Sequence, residues 1–145
     1  MRTVRDDEDG RRYLLLKESD ESARVRDPDT GAERHLPLER LEPVDGESPL
    51  ETAAGAVPDA VRQVVTAAHD DRALGLLVEI DERGPVDVRL LLDAYDLCES
   101  DLHGLLAEFR AAGLVAEAEV AGGRGYETTE TASEGLAALV GTDDS

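Results

Sequence analysis

The side chains best suited to chemistry in this sequence are three histidines and one cysteine, and they are scattered along the chain. His35, His69 and His103 share no common spacing, and Cys98 precedes His103 by only a few residues. Zinc requires three or four converging ligands, whereas the segment from Cys98 to His103 supplies at most two. We therefore expect neither a metal ion nor a cofactor in this protein.

Catalytic arrangements have equally little support. Ser100, Asp101 and His103 are neighbours on one turn, where side chains cannot adopt the geometry of a catalytic triad. The 34 Asp and Glu residues are so abundant that carboxylate pairs arise by chance and do not indicate acid–base catalysis. Gly122–Gly125 precedes a strand pattern and not a helix, so it does not match a phosphate-binding loop. We expect that the protein is not an enzyme.

The composition is acidic and poor in lysine. There are 34 acidic against 15 basic residues, a net charge of −19, and Lys17 is the only lysine. Apolar residues make up 41% of the chain and aromatic residues 3%, so a core must be built from Leu, Val and Ala. Because this apolar periodicity is sustained, the composition does not indicate a disordered acidic chain.

An acid-rich, lysine-poor composition resembles that of proteins from extreme halophiles. At molar salt the Debye length is about 3 Å, which largely screens repulsion between surface carboxylates. A single cysteine excludes an internal disulfide and fits a reducing compartment. The sequence has no apolar run of the ~18 residues that a membrane span requires, and its N-terminus lacks a signal-peptide core. We expect a cytoplasmic protein that does not contact membranes.

Residues 1–45 predict a small β-hairpin unit after a frayed, charged start at residues 1–10. Asp27–Gly31 carries the proline, aspartates and glycine of a tight turn and is the predicted hairpin tip. Glu42–Glu51 carries two prolines, a glycine and four acidic residues, which indicates a linker, assigned to residues 46–58, with a short helical turn at Leu50–Ala56 before Pro58. The predicted strands around the tip are Arg12–Glu18, Ser22–Arg26 and Glu33–Leu38.

Residues 59–140 predict a second domain, followed by an acidic tail at 141–145. Its helix patterns are Asp59–His69, a helix capped by Asp70 or Asp71 that carries Leu74–Ile80, Val88–Tyr95 started by Asp87, Ser100–Ala112 capped by Ser100 or Cys98, and Ala132–Val140. Two short strands flank a glycine turn before the last helix, for which Thr131 and Glu134 are the predicted capping box. In the predicted core, three residues of one helix pack against one residue from each of three other helices: Leu102, Leu106 and Phe109 against Leu77, Leu91 and Leu139.

Two stretches of this domain carry a family resemblance. Leu97–Val115 (LCESDLHGLLAEFRAAGLV) resembles the recognition helix and exit turn of MarR- and ArsR-like regulators, and Tyr126–Gly135 (YETTETASEG) is similar to the pattern that closes their wing. The chain also resembles a haloarchaeal family of small proteins, without an assigned function, that couple such a domain to an N-terminal β-hairpin. The resemblance implies an α+β fold, a winged helix-turn-helix domain preceded by a small antiparallel β-hairpin unit.

The implied function is that of a DNA-binding transcriptional regulator, but the charge of the domain opposes it. Residues 59–140 hold 17 acidic residues and six arginines, a net charge of −11, whereas phosphate binding relies on Lys and Arg. High salt screens this repulsion, and a local cluster of arginines can then bind. A winged helix that serves as a protein–protein adaptor, without reading DNA, is the alternative, because the fold does not decide the function.

Positive charge is concentrated in the first part of the chain. Residues 1–58 contain nine of the 15 basic residues, with Arg24, Arg26 and Arg34 flanking the predicted hairpin turn. These arginines serve either as partners for the surrounding acidic residues or as a local positive patch.

If the chain binds double-stranded DNA, the contacts are expected on the outward face of the recognition helix, on the wing and at the start of the preceding helix. The arginines would contact phosphates, His103 would read a base edge, and Gly104 and Ala107 would allow close approach. Because related regulators place dimer contacts before this core, the helix Asp59–His69 is expected to support a homodimer. The predicted contact residues are Arg89, Ser100, His103, Gly104, Ala107, Arg110 and Arg124.

Overall fold

The computed structural model describes residues 1–140, so the predicted acidic tail at 141–145 lies outside the described residues. The chain divides into two compact units, of which unit 1 spans Met1–Pro58 and unit 2 begins at Asp59. Both helices and strands are present, and the N-terminal sheet is antiparallel. The predicted α+β class is confirmed at this level.

Unit 1 is built on a five-stranded antiparallel sheet, larger than the predicted hairpin. The strands are β1 (Arg2–Asp6), β2 (Arg12–Glu18), β3 (Ser22–Arg26), β4 (Glu33–Pro37) and β5 (Leu41–Pro43). They pair in the order β4-β3-β2-β1-β5. The prediction of a frayed start was wrong, because β1 pairs with both β2 and β5 and buries Thr3, Val4 and Asp6.

The turn between β3 and β4 lies at Asp27–Gly31, as its residue types predicted. The Gly31 amide donates to the Asp27 carbonyl oxygen at 2.8 Å, and the Asp29 amide donates to the Asp27 side chain at 2.9 Å. Gly31 has a φ of 77°, a conformation that glycine adopts without a steric cost. Local chemistry was therefore sufficient to place this turn.

The two faces of the sheet are covered differently. One face forms a core from Val4, Tyr13, Leu15, Ala23, Val25 and Leu36. On the other face Leu14 is fully buried where helix α1 (Pro49–Ala54) packs on β1 and β2, and the Thr3 and Thr52 hydroxyls hydrogen-bond at 2.6 Å. The stretch predicted as a linker is thus largely an integral part of unit 1.

Unit 2 combines five helices with a three-stranded sheet of order β6-β8-β7 within the described residues. Its elements are α2 (Asp59–Ala67), α3 (Asp71–Arg83), β6 (Val86–Asp87), α4 (Val88–Tyr95), α5 (Glu99–Ala111), β7 (Val115–Val120), β8 (Gly123–Thr128) and α6 (Glu130–Leu139).

Side-chain caps begin four of these helices. Asp70 accepts a hydrogen bond from the Ala73 amide, and Asp87 accepts one from the Arg89 amide, as predicted from their positions. Cys98, one of two predicted candidates, caps α5. The prediction of a Thr131 capping box was wrong, because Thr129 caps α6 and the helix begins two residues earlier.

The core of unit 2 contains the predicted face of α5. Leu102, Leu106 and Phe109 are buried in one cluster with Leu77 and Leu91. Leu139 was predicted to join them and does not, since 45% of its surface is exposed. Helix α6 contributes Ala132 and Leu136 to the cluster instead.

Candidate functional site

An open cleft in unit 2 gathers side chains from three elements: the first turn of α4, the first half of α5 and the β7–β8 hairpin. The charged and apolar side chains that define it are Asp87, Arg89, Leu92, Glu99, His103 and Arg124. We call it the Arg89–Arg124 cleft. Three of the predicted contact residues, far apart in sequence, therefore line one surface.

The short strand β6 positions one wall of this cleft. Asp87 pairs with Gly125 of β8, which places the start of α4 beside the β7–β8 hairpin. The pairing is close because position 125 is a glycine, where an added Cβ would overlap the Val86 carbonyl oxygen. The Asp87 side chain then caps α4 by accepting from the Arg89 amide at 2.8 Å. Arg89 and Arg124 thereby share the cleft.

The β7–β8 hairpin turns at Ala121 and Gly122, which have φ values of 51° and 80°. Positive φ at both central residues is the conformation of the two-residue turns that match the twist of a hairpin. The sequence placed this turn at Gly122–Gly125, one or two residues too far along, because glycines mark turns more strongly than alanine does. Arg124 lies two residues after this turn and is exposed.

In the described part of the chain, Arg89 and Arg124 lack side-chain partners, as does Arg72 of α3. Within residues 1–140 none of these guanidiniums forms a hydrogen bond or an ion pair, although unit 2 has almost three acidic residues for each arginine. By contrast, Arg110 Nη1 lies 2.9 Å from Glu117 Oε1, Arg62 pairs with Asp59, and Arg83 donates to the Tyr95 hydroxyl at 2.7 Å.

The two carboxylates of the cleft have partners of their own. Asp87 caps α4, and Glu99 Oε1 lies 3.6 Å from His103 Nε2, so that it forms an ion pair when the imidazole is protonated. The cleft thus carries two guanidiniums, two carboxylates and one titratable histidine. Its charge is balanced, whereas residues 59–140 as a whole carry −11. An anion meets less repulsion here than the composition of the unit suggests.

Two other predicted contact residues, Ser100 and Gly104, line a different groove. They share it with Asp70, Asp101, Glu108 and Arg72, a set with an excess of two negative charges. An added Cβ at Gly104 would meet no atom within 4 Å, so no packing within the described chain explains this glycine. Arg72 was missed by sequence reasoning, because a lone arginine in the first turn of α3 carries no distinguishing pattern.

The remaining predicted residues lie elsewhere on α5. Ala107 is exposed, and Arg110, near the end of the helix, is exposed but ion-paired with Glu117. The seven residues predicted to form one surface therefore include three that share a cleft and two that line an acidic groove.

Metal binding and membrane spanning can be assessed for the described part of the chain. Within residues 1–140, no three His, Cys, Asp or Glu side chains come together as a potential metal site. In the same range, no helix has both the length and the apolar character needed to cross a bilayer.

Comparison with known proteins relates the whole described chain to one family. The model of the family of unknown function DUF7346 matches residues 1–140, which covers both units. Comparisons with curated proteins and with solved structures found no match.

Proposed function

Because the chain belongs to DUF7346, a family of unknown function, its activity must be inferred from its geometry, and we propose that unit 2 is a winged helix-turn-helix domain of a DNA-binding transcriptional regulator. In this proposal α5 is the recognition helix and the β7–β8 hairpin is the wing. The support is the order of elements, in which α2 to α5 precede a two-stranded hairpin and a closing helix, together with the burial of one face of α5.

The observation that carries the proposal is that two arginines without carboxylate partners in the described chain, Arg89 and Arg124, line one cleft. Where acidic residues are in large excess, an exposed arginine is expected to pair with one of them, as Arg110 and Arg62 do. Arg89 and Arg124 line the same cleft and remain available. Guanidinium groups bind phosphate through two parallel hydrogen bonds, so the cleft is suited to two backbone phosphates on the duplex.

His103, on the exposed face of α5, lines the same cleft as these arginines. Its imidazole can donate to or accept from a base edge, and in the major groove such contacts distinguish base pairs. Arg110 contributes less in this arrangement, since a phosphate would have to displace Glu117. Ser100, Gly104 and Ala107 form an exposed strip of small residues that permits close approach of the duplex to α5.

High salt makes this arrangement workable. At molar ionic strength the Debye length is about 3 Å, so the acidic residues outside the cleft repel the duplex only weakly, while direct guanidinium–phosphate hydrogen bonds persist. The proposal therefore places DNA binding in a concentrated salt solution within the cell.

The proposal includes a homodimer formed through unit 2. Val65 of α2 is 50% exposed, and Leu139 and Val140 at the end of α6 are 45% and 54% exposed. Helices α2 and α6 pack against each other, so the pair presents exposed apolar side chains. Two-fold pairing would cover them and would match paired half-sites on DNA.

A protein–protein adaptor remains the second candidate, and the acidic groove favours it. Asp70, Asp101 and Glu108 surround Ser100 and Gly104, and this part of α5 opposes phosphate more than it attracts it. A basic segment of a partner protein would fit the groove better than DNA.

The test is a binding series on full-length protein against a promoter duplex and an unrelated duplex, with salt varied over the range in which circular dichroism shows a folded protein. Arg89→Ala and Arg124→Ala should each weaken binding to both duplexes alike and reduce the slope of log K against log salt by about one. His103→Ala should instead reduce the preference for the promoter, because it removes a base contact.

Arg62→Ala is the matched control, since it removes one positive charge from an arginine that is already paired with Asp59. It should leave the affinity and the slope unchanged. If the wild type binds neither duplex, or if all three cleft variants bind as the wild type does, the DNA proposal fails and the adaptor becomes the better account.

A further inference from the structure

One face of the sheet of unit 1 carries most of the basic residues of its strands. Along β3, Arg24 and Arg26 alternate with the core residues Ala23 and Val25, whereas Arg2 and Arg34 lie on the core face. The basic residues of this outer face, assigned from the strand register, are Arg5, Arg12, Lys17, Arg24, Arg26 and His35. Only two acidic residues of the strands share the face, Glu33 opposite Arg26 and Glu42 opposite Arg5.

A β-bulge places the lysine on this face. Leu15 pairs with Val25 on the core side, and strict alternation would return Lys17 to the same side. The register instead shifts between these residues, and Lys17 pairs with Arg24. A β-bulge inserts one extra residue in a strand and so changes the face on which the following side chains lie. Here the bulge turns the only lysine of the chain onto the basic face.

The result is a row of three basic side chains across adjacent strands. Lys17 lies opposite Arg24, and Arg24 lies opposite His35. Like charges directly opposite each other on a sheet are destabilising, and within residues 1–140 Lys17 has no ion-pair partner. Arg24 Nε lies 3.7 Å from Glu33 Oε1, a weak and exposed contact. We call Lys17, Arg24 and the neighbouring His35 the cationic row, after the charges of Lys17 and Arg24.

Two of the other arginines of the basic face are ion-paired, and Arg26 is half-buried. Arg5 and Arg12 form ion pairs of 2.8 Å with Glu42 and Glu47. Helix α1 covers the β1–β2 part of this face, where it buries Leu14. The accessible part therefore runs from Lys17 across β3 to β4, and it holds the unpaired lysine.

We propose that the cationic row is a second DNA-contacting surface, which binds backbone phosphates of duplex DNA. The inference deepens the proposed function and rests on it for the identity of the ligand. Adjacent strands are about 4.8 Å apart, so the row extends over roughly 10 Å and meets more than one phosphate of a strand that carries one charge per ~3.4 Å of rise.

The side chains of the row favour duplex DNA over a protein partner or a single strand. Protein interfaces have an apolar centre within a polar rim, but the cationic row contains no apolar side chain and Leu14 beside it is buried. Single strands are held by bases stacked on aromatic rings, and Tyr13, the aromatic residue of unit 1, is fully buried. Lys17 and Arg24 can donate to the backbone phosphates that duplex DNA presents along its surface.

The experiment compares full-length Lys17→Ala/Arg24→Ala with the wild type on duplexes of two unrelated sequences across a salt series. The double variant should bind both duplexes more weakly and by the same factor, with a slope of log K against log salt smaller by about two. The matched control is Arg2→Ala/Arg62→Ala. It removes the same charge from two exposed ion pairs that lie outside the row, and it should keep the wild-type slope.

An unchanged slope in Lys17→Ala/Arg24→Ala, or an equal loss in the control, overturns the inference. Arg89→Ala/Arg124→Ala, measured in parallel, separates it from the proposed function: if that variant binds as the wild type does while the row variant is weakened, the row stands and the cleft proposal fails. Sedimentation tests whether the row instead contacts a second copy of the chain. In that case the wild type is a dimer and the row variant is a monomer, which overturns the inference. A wild type that binds no duplex would overturn both proposals.

Discussion

Among individual residues, Asp6 shows how this acidic protein uses a buried carboxylate. Its side chain is fully buried and accepts hydrogen bonds from the Glu8 amide at 3.0 Å and from Arg40 Nε and Nη2 at 3.2 and 2.6 Å. Burial acts to raise its pKa, but these hydrogen bonds and the Arg40 charge outweigh burial and hold the pKa below the ordinary value of 3.8. Asp6 is therefore ionised in the folded protein and ties β1 to the turn before β5.

This carboxylate should make the stability of unit 1 depend on pH. Because the pKa is lower in the folded state, the ionised side chain stabilises folding above the unfolded pKa, and the contribution is lost as pH falls through the folded value. Asp6→Asn should reduce the free energy of unfolding by about 2 kcal/mol at pH 7, and by less below the ordinary value of 3.8. Urea unfolding in 2 M potassium chloride at pH 7 and pH 3 measures both.

Asp7→Asn is the control for this experiment, since Asp7 is exposed next to Asp6 and should show little change. A loss in Asp6→Asn that is equal at the two pH values would contradict an electrostatic role.

Between elements, two helical glycines differ in their surroundings: Gly135 lies at a helix–helix contact, and Gly104 lies on the exposed face of a helix. Gly135 of α6 faces α2 so closely that an added Cβ would overlap the Ala60 carbonyl oxygen and come within 2.8 Å of Val64 Cγ2. Gly104 of α5 has the same residue type in a helix, but its added Cβ would meet nothing within 4 Å. The first glycine is required by the fold, and the second is not.

The same substitution at these two positions should therefore change stability in opposite directions. Gly135→Ala should destabilise the protein by about 1–3 kcal/mol, because backbone atoms of α2 must move. Gly104→Ala should stabilise it by up to ~1 kcal/mol, because alanine is the better helix former. Chemical unfolding of both variants in one buffer gives the comparison. Destabilisation by Gly104→Ala would show that α5 is packed at this point in a way the fold does not indicate.

For the whole molecule, the dominant physical quantity is the net charge of −19. Several acidic residues are neutralised locally, as Glu42, Glu47 and Glu117 are, but 15 basic residues cannot balance 34 acidic ones. The excess repels itself in the folded state, and the repulsion grows as the Debye length increases from about 3 Å at 1 M to about 10 Å at 0.1 M.

Stability should therefore increase with salt. The melting temperature followed by circular dichroism should be higher in 2 M than in 0.1 M potassium chloride, because screening removes self-repulsion. A non-ionic osmolyte at matched osmolality serves as the control and should give a smaller increase. Equal melting curves at the two salt concentrations would count against adaptation to high salt.

The sequence alone determined the features that depend on neighbours within a few residues. Asp70 and Asp87 indicate helix starts, because a capping side chain accepts from an amide two or three positions ahead. Asp27–Gly31 indicates a turn, because its hydrogen bonds also join residues within the segment. The apolar face of α5 follows from helical periodicity, so Leu102, Leu106 and Phe109 were placed in the core correctly.

Tertiary structure alone decided the features that depend on which segments pair. The charged segment β1 is a strand because β2 and β5 flank it, and no local pattern reveals partners so far along the chain. The cleft exists because β6 pairs with β8, which brings Arg89 near the hairpin of Arg124. The cationic row exists because one bulge shifts the register and reverses the face of Lys17. Since a shift of one residue moves a side chain to the opposite face of a sheet, these surfaces were fixed by register, which composition and periodicity do not encode.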